Sequence, residues 1–356
     1  MARTSPYAPV YRTLRRMAEP LLDARGLTKR FPVGSGREKR FVHAVNDVDI
    51  AIEPGQTHGL VGESGSGKST TGRLILRLIE PDGGSAMFKG VDLFGLSDAD
   101  LRRTRRDIQL IYQDPFSSVD PRFRARDIVA EPWEVNGLYD RKERRRRAEE
   151  LFERVGLDPS QGDRRPAAFS GGQLQRIGIA RALALEPSLV IADEPVSALD
   201  VSVQGQIINL LTDLQRDLGV SYLFIAHDLG VVRHLSDRVS VMYLGRIVET
   251  GSRADVFERA AHPYTQALLA AMLRGGSEAV RGRLVKGEPP RPTDPPSGCA
   301  FRTRCPRAQA ICAEEVPTLI DRGDGHPAAC HFAEVDAELG ARLAEPSTPS
   351  PRSRQQ

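Results

Sequence analysis

A glycine-rich segment in the first quarter of the chain restricts its fold more than any other feature. It reads Gly62-Glu63-Ser64-Gly65-Ser66-Gly67-Lys68-Ser69, with the spacing G-x-x-x-x-G-K-S. Its glycines allow successive backbone N–H groups to point at phosphate oxygens, because no Cβ stands in the way. Lys68 would bring a positive charge to the β and γ phosphates, and the Ser69 hydroxyl would coordinate Mg²⁺. The segment therefore predicts a loop that binds a nucleotide together with Mg²⁺.

The residues on either side of this loop support the same interpretation. Residues 57–61 (THGLV) are typical of a short buried strand, and residues 71–78 (TGRLILRL) are typical of a helix. We expect the helix to begin at Thr70, so that its positive N-terminal end faces the bound anion. A strand, a phosphate-binding loop and a helix in this order indicate an α/β fold.

A second segment supplies acidic side chains. The apolar run 189–192 (LVIA) ends in Asp193 and Glu194, as expected of a buried parallel strand that delivers two carboxylates to a phosphate site. Asp193 would belong to the Mg²⁺ shell, and Glu194 would polarise the attacking water. Together with Lys68 in the same chain, this pair predicts an ATPase.

A third segment predicts a further anion-binding helix start. It is Ser170-Gly171-Gly172-Gln173, and an amphipathic helical stretch follows it. A serine N-cap followed by two glycines leaves backbone N–H groups at a helix start, where they attract anions. The chain thus carries two phosphate-binding segments but only one acidic pair. We infer that the second segment closes over the ATP of a partner subunit.

With these motifs the sequence resembles the ATP-binding subunit of an ABC transporter, over about residues 21–335. The resemblance implies a P-loop NTPase fold of α/β class with a RecA-like core and an antiparallel β edge. It also implies a nucleotide-binding domain at residues 21–258, with a helical subdomain at about 97–185. Residues 1–20 are then expected to form a flexible arm, and residues 345–356 a disordered tail.

The same resemblance assigns roles to residues outside the three segments. It implies that Phe31 stacks on adenine, with Phe41 as a rival, and that Asp200 belongs to a loop at the subunit interface. It implies that Gln113 senses Mg²⁺ and phosphate, so that Ser69, Gln113 and Asp193 form the Mg²⁺ set. His227 follows the apolar run 222–226 (YLFIA), where α/β sheets place ligands, and would contact the γ-phosphate. The expected catalytic residues are Glu194, His227 and Gln113.

Composition limits the other function classes. The chain has 356 residues, with 50 Lys and Arg against 47 Asp and Glu, and the net charge of +3 is too small to predict nucleic-acid binding. No apolar run approaches the roughly 18 residues of a membrane helix, and the first 20 residues lack the apolar stretch of a signal peptide. If the protein serves a transporter, we expect the membrane path to lie in other chains.

The C-terminal part narrows the resemblance to one branch. His262-Pro263-Tyr264 and the later GCAFRTRCP segment resemble the oligopeptide and dipeptide importers, in a C-terminal extension at residues 259–344. This branch implies a paired ATPase subunit, expected to be a paralogue, two permeases and an extracytoplasmic substrate-binding protein. It also implies a location on the cytoplasmic face of the cell membrane. Nickel and some sugar importers share this extension.

All four cysteines lie in the same extension: Cys299, Cys305, Cys312 and Cys330. Four thiols within a short segment suggest a metal site, and thiolates suit either Zn²⁺ or an iron–sulfur cluster. The C-x5-C-x6-C-x17-C spacing lacks the paired C-x2-C pattern of structural zinc sites, and the resemblance favours a [4Fe–4S] cluster. Buried reduced thiols are the alternative.

We therefore expect an ATPase that couples ATP binding and hydrolysis to peptide uptake. The alternatives are an importer ATPase for nickel or another small solute, and a soluble ABC protein that acts on nucleic acid or ribosomes. Proteins of the latter kind usually carry two cassettes or a long coiled coil, and this sequence shows neither. A drug-exporter ATPase is commonly fused to its membrane domain and lacks the His-Pro-Tyr and cysteine segments.

Overall fold

The computed structural model describes residues 19–34, 40–272, 287–321 and 325–344. Its two compact units are divided in the chain after Arg246, and each unit is described by itself. Nearly all of the predicted N-terminal arm, and the whole predicted tail at 345–356, lie outside the described residues. The predicted domain limit at residue 258 lies later in the chain than this division and stays a prediction.

The larger unit contains both sheets of the predicted core. Its elements are β1 (Leu22–Val33), β2 (Arg40–Ile52), β3 (Thr57–Val61), α1 (Lys68–Ile75), β4 (Gly83–Phe88), β5 (Val91–Asp92), α2 (Asp98–Thr104), β6 (Ile108–Ile111), α3 (Ala125–Val135), α4 (Arg141–Arg154), α5 (Gly171–Leu183), β7 (Leu189–Asp193), α6 (Val201–Leu218), β8 (Ser221–Ala226), α7 (Leu229–Leu235) and β9 (Arg238–Tyr243). Two 3-10 helices, Pro159–Asp163 and Pro166–Ala168, lie between α4 and α5. Strands β2, β1, β4 and β5 form an antiparallel sheet in that order.

The second sheet carries the predicted phosphate-binding residues. Within the larger unit its order is β9-β3-β8-β7-β6, and these neighbours pair in parallel. Every residue of β3, β7 and β8 is buried, which explains why these strands are continuous apolar runs in the sequence. Parallel pairing places the carboxyl ends of the strands along one edge, where α/β folds bind ligands. The predicted α/β fold with an antiparallel sheet is confirmed.

The expected helix start at Thr70 is wrong. Helix α1 begins at Lys68, because Gly67 adopts φ 108° and already serves as the N-cap. The carbonyl of Gly67 accepts hydrogen bonds from the Thr71 N–H at 2.9 Å and from the Thr71 hydroxyl at 3.0 Å. Lys68 and Ser69 therefore lie in the first helical turn, so their side chains have defined directions.

The segment 97–185, predicted as helical, also contains a sheet strand. Strand β6 pairs with β7, so this part of the segment belongs to the parallel sheet. Helices α3, α4 and α5 pack together beyond it, and the buried Trp133 of α3 donates from Nε1 to the Ala184 carbonyl at 2.6 Å. The segment thus carries one strand into the core before its helices begin.

The smaller unit holds the His-Pro-Tyr motif. Its elements are β10 (Arg246–Ser252), which starts at the division, α8 (Arg253–Glu258), α9 (Pro263–Met272), α10 (Ile311–Glu314) and α11 (Ala337–Ala344). His262 Nδ1 accepts a 3.0 Å hydrogen bond from the Tyr264 N–H at the start of α9. The buried Glu249 carboxylate accepts from the Ala261 and His262 N–H groups at 2.6 and 3.2 Å. The motif therefore fixes the start of α9 on β10.

Candidate nucleotide-binding site

The glycine-rich loop connects β3 to α1 at the carboxyl edge of the parallel sheet. Two of its glycines are required because the loop leaves no space for a Cβ there, and because their backbone has a positive φ. A Cβ on Gly67 would lie 2.0 Å from the Ala44 carbonyl oxygen, and one on Gly62 would lie 2.2 Å from the Met242 carbonyl oxygen. The backbone of the loop therefore lies directly against its neighbours, a packing that no other residue type allows at these positions.

Lys68 lies under this loop and is buried, with 3% of its side chain exposed. Its Nζ donates to the carbonyls of Gly62 at 2.8 Å and Glu63 at 2.9 Å. Burial lowers the pKa of Lys68, and the carboxylates of Glu194 and Asp193 oppose that shift. The ammonium is thus held inside the loop, in the position from which it would meet the phosphates.

The structure brings Ser69 and Asp193 together, as the sequence predicts for a Mg²⁺ site. The Ser69 hydroxyl donates to Asp193 Oδ1 at 2.6 Å, and burial raises the pKa of Asp193 while that hydrogen bond and the charge of Arg73 oppose the shift. A hydroxyl and a carboxylate are oxygen donors of the kind that Mg²⁺ prefers, so the two residues fit this ion. Gln113 lies elsewhere in the site.

Glu194 is the meeting point of the three expected catalytic residues. Its Oε2 accepts a 2.9 Å hydrogen bond from Gln113 Nε2, and His227 Nδ1 lies 3.3 Å from the same oxygen. Its Oε1 lies 3.9 Å from Lys68 Nζ. The structure therefore places Gln113 against Glu194, and nothing among the hydrogen bonds of the described residues joins its amide to Ser69 or Asp193.

The backbone of Glu194 explains how its side chain reaches this position. Strand β7 ends at Asp193, and Glu194 has a left-handed conformation, with φ 46°. Its N–H still donates to the Ile225 carbonyl of β8 at 2.9 Å. A non-glycine residue in this region is strained, and such strain is concentrated at functional sites. Consecutive acidic residues can therefore serve different neighbours, Ser69 and Gln113.

The Ser170 segment forms the N-terminus of α5, as predicted. Ser170 and Gln173 make a capping box, in which the Gln173 N–H donates to Ser170 Oγ at 3.3 Å and the Ser170 N–H donates to Gln173 Oε1 at 2.9 Å. Ser170 is exposed. Neither residue is joined by a hydrogen bond or ion pair to Lys68 or Glu194 within the described part of the chain.

Two further predicted contact residues lie apart from this cluster. Asp200 is exposed and caps α6, accepting from the Val203 N–H at 3.0 Å. Phe31 is partly buried, with Lys29 Nζ 5.6 Å from its ring centre, while Phe41 is 43% exposed with Arg30 near its ring. The two rings therefore have similar cationic neighbours, and the assignment of Phe31 to adenine stays a prediction.

One neighbour of the site was not found from the sequence. Arg73 Nη2 lies 3.8 Å from Asp193 Oδ2, on the opposite oxygen from Ser69. The signal was present, because Arg73 stands four positions after Ser69 and such residues share one face of a helix. The sequence alone does not show that this face of the helix lies beside the acidic strand end.

The described residues give no support to the predicted metal site of the cysteine segment. All four cysteines are free thiols, and the structure, over its described ranges, shows no group of three or more His, Cys, Asp or Glu residues that could hold a metal ion. Burial raises the pKa of the Cys299 and Cys305 thiols and raises that of Cys330 to about 11. The [4Fe–4S] cluster and its Zn²⁺ alternative therefore have no support here.

The fold and this site together define a P-loop ATPase. The family model described as ABC transporter matches residues 45–197, and the one described as Oligopeptide/dipeptide transporter, C-terminal region, matches residues 248–312. The dimeric, post-hydrolysis structure of the ATP-binding cassette MJ0796, bound to ADP and Pi, has a TM-score of 0.59 and 30% identity. That match covers 65% of this chain and 98% of the other.

Two curated proteins are similar over nearly their whole length. "Oligopeptide transport ATP-binding protein AppF" of Bacillus subtilis is 50% identical over 321 residues, which is 88% of this chain and 98% of AppF. "Probable peptide ABC transporter ATP-binding protein y4tS" of Sinorhizobium fredii is 48% identical over 347 residues, which is 94% of this chain and 98% of y4tS. The chain belongs to the ATP-binding proteins of the ABC transporter family, in the branch with the oligopeptide/dipeptide C-terminal region.

The hydrogen bond between Ser69 and Asp193 yields a prediction about Mg²⁺. Ser69→Ala should weaken nucleotide binding about tenfold or more in the presence of Mg²⁺, because an oxygen donor to the ion is lost. Binding measured in EDTA should change little, since Lys68 and the loop are intact. Titration with a fluorescent ATP analogue measures both, and Ser69→Thr, which keeps the hydroxyl, is the control. An equal loss with and without Mg²⁺ would contradict this role.

Proposed function

We propose that the chain is the ATP-hydrolysing subunit of an ABC importer that takes up di- and oligopeptides through partner permeases. The observation that carries the catalytic part is the Glu194 carboxylate, in contact with Gln113 and His227 and close to Lys68. Peptides are proposed because AppF and y4tS are named as peptide transport proteins and because residues 248–312 of the chain match the oligopeptide/dipeptide transporter C-terminal region.

Each side chain at the edge of the sheet then has a separate task. Lys68 and the loop N–H groups bind and orient the β and γ phosphates. Glu194 orients a water for in-line attack and receives its proton, while His227 and Gln113 hold the Glu194 carboxylate in place. Ser69 and Asp193 would hold Mg²⁺, which supplies positive charge to the phosphates when bound. The Gln113 amide nitrogen is bonded to Glu194, so its amide oxygen is the atom that would join the Mg²⁺ set.

We further propose that two such subunits pair, with the Ser170 segment of each facing the nucleotide of the other. The first N–H groups of a helix have no carbonyl within the helix to bond, so the exposed start of α5 presents donors to an incoming anion. The partner would be a paralogue, and the assembly would include two permeases and an extracytoplasmic binding protein. The pair would then lie at the cytoplasmic face of the membrane. No helix of the described residues is long and apolar enough to span the membrane.

The role of Glu194 is tested by Glu194→Gln. Hydrolysis should slow by roughly 10²-fold or more, because an amide cannot accept the proton of the attacking water, while Mg-ATP binding should persist. Turnover is measured in the assembled complex, and binding in the purified chain. Glu153→Gln, at an exposed position on α4, is the matched control. Near-normal turnover in complexes carrying Glu194→Gln would refute the assignment.

The pairing is tested by Ser170→Arg. A bulky cation at the exposed start of α5 should abolish ATP-driven pairing and leave the ATP affinity of the separate subunit unchanged. Size measurements on the pair, with and without Mg-ATP, are compared with nucleotide titration of the single chain. Ser160→Arg, at an exposed position in a 3-10 helix, is the control. Loss of ATP binding by the single subunit would mean that Ser170 acts on its own nucleotide.

The metal hypothesis for the four cysteines is separate and has its own test. It rests on the spacing of the four cysteines in the sequence alone. Protein prepared anaerobically without chelators should contain iron or zinc, and Cys312→Ser should release it without affecting ATP binding. Elemental analysis that finds neither metal would leave these residues as buried reduced thiols.

A further inference from the structure

The loop after β6 carries Gln113 at its head and is held in a defined shape by Asp114. The Asp114 side chain accepts from the Phe116 N–H at 2.9 Å, and its carbonyl accepts from the Ser118 N–H at 3.2 Å. These short-range bonds fix the Ser118 backbone relative to Gln113. A displacement of Gln113 at Glu194 would therefore move the turn that contains Ser118.

Arg181 on α5 connects that turn to the helix that starts at Ser170. Its Nη1 donates to the Ser118 carbonyl at 2.7 Å, and its guanidinium carbon lies 5.7 Å from the centre of the Tyr112 ring. The Glu131 carboxylate of α3 lies 3.8 Å from the same guanidinium nitrogen, Nη1. Only 15% of the Arg181 side chain is exposed, so these contacts are partly shielded from water. One side chain thus contacts both flanks of Gln113.

The opposite end of α5 contacts the same loop. A Cβ placed on Gly171 would lie 3.7 Å from Cε2 of Phe116, so this ring lies against the first turn of the helix. From Gly171 to Arg181 the helix rises by about 15 Å, at 1.5 Å per residue. The loop is therefore joined to α5 near both ends, and a helix of this length moves as one rigid element.

We propose that Arg181 is a positioning residue that transmits the state of Gln113 to the Ser170 segment of the same chain. Nucleotide binding at Lys68 and Glu194 shifts Gln113, the Ser118 carbonyl moves with it, and Arg181 carries α5 along. ATP in one site thereby sets the position of the segment offered to the other site. The inference rests on the proposed function and goes beyond it, because it assigns communication between sites to one side chain.

Hydrogen exchange of the single full-length chain, with and without a non-hydrolysable ATP analogue and Mg²⁺, tests this proposal. In the wild type the analogue should slow exchange in three segments: 62–75, 112–121 and 171–183. Arg181→Met keeps the length of the side chain and removes the donor. It should retain the slowing in the first two segments and lose it in the third.

Arg176 supplies a matched control on the same helix. It also donates to a backbone carbonyl, that of Val155 at 2.5 Å, which lies outside the loop. Arg176→Met should therefore retain the slowing in all three segments. Arg181→Lys, which keeps a donor for the Ser118 carbonyl, should restore part of the effect lost in Arg181→Met. Equal behaviour of the Lys and Met variants would reduce Arg181 to a packing role and overturn the proposal.

The remaining outcomes are distinct from one another. Persistent slowing at 171–183 in Arg181→Met, or its absence there in the wild type, overturns the proposal while the proposed ATPase function stands. Absence of slowing at 62–75 in the wild type contradicts the proposed function itself.

If Arg181→Met does not fold, Phe116→Ala replaces it, because the Phe116 side chain is 59% exposed and its loss leaves the core intact. That variant should keep the slowing at 171–183, because Arg181 still bonds to the Ser118 carbonyl, and loss of the slowing there counts against the proposal.

Discussion

The buried ammonium of Lys68 is the charge around which the rest of the site is arranged. Taking an ammonium out of water costs several kcal/mol unless the protein supplies partners. Here the loop supplies the Gly62 and Glu63 carbonyls, and Glu194 supplies a carboxylate oxygen at 3.9 Å. The loop can bend so closely around Nζ only because Gly67 and Gly62 have no Cβ to meet Ala44 and Met242. The glycine spacing and the lysine are therefore one physical requirement.

The second requirement is the register between β7 and β8. Asp193 pairs with Ile225, and the next N–H, that of Glu194, bonds to the same residue through a left-handed backbone. This turn directs Asp193 toward Ser69 on α1 and Glu194 toward His227, which follows β8. A slip of one residue in a parallel strand would reverse the direction of both carboxylates. The apolar, fully buried strands fix this register, so the core determines which acid meets which partner.

The sequence predicted the parts of the fold that depend on local pattern. Strand β3 was predicted with its observed limits, and the ends of β7 and β8 follow from polar residues after apolar runs. The start of α1 was misplaced, because the N-cap role of Gly67 depends on a left-handed conformation that the residue type allows but does not dictate. Two contacts could not be predicted from sequence pattern: Gln113 with Glu194, and Arg181 with Ser118. Each joins residues far apart in the chain, and hydrophobic periodicity carries no information about such pairs. Cysteine spacing likewise does not give the directions of the sulfurs, on which a metal site depends.

The two glycine-rich helix starts differ in a way that makes the single chain incomplete. At α1 the loop encloses a buried lysine and lies beside two carboxylates, so charge and geometry are both present in one subunit. At α5 the Ser170 hydroxyl and N–H are engaged in a capping box, and the Ser170 side chain is exposed. Arg181 and Arg176 direct their guanidinium groups to backbone carbonyls instead of toward the helix start. An exposed helix start can attract an anion but cannot desolvate it or supply a catalytic base. A second subunit that brings its own nucleotide would supply both the desolvation and the catalytic base. This asymmetry between the two helix starts is the physical argument for an ATPase that works in pairs.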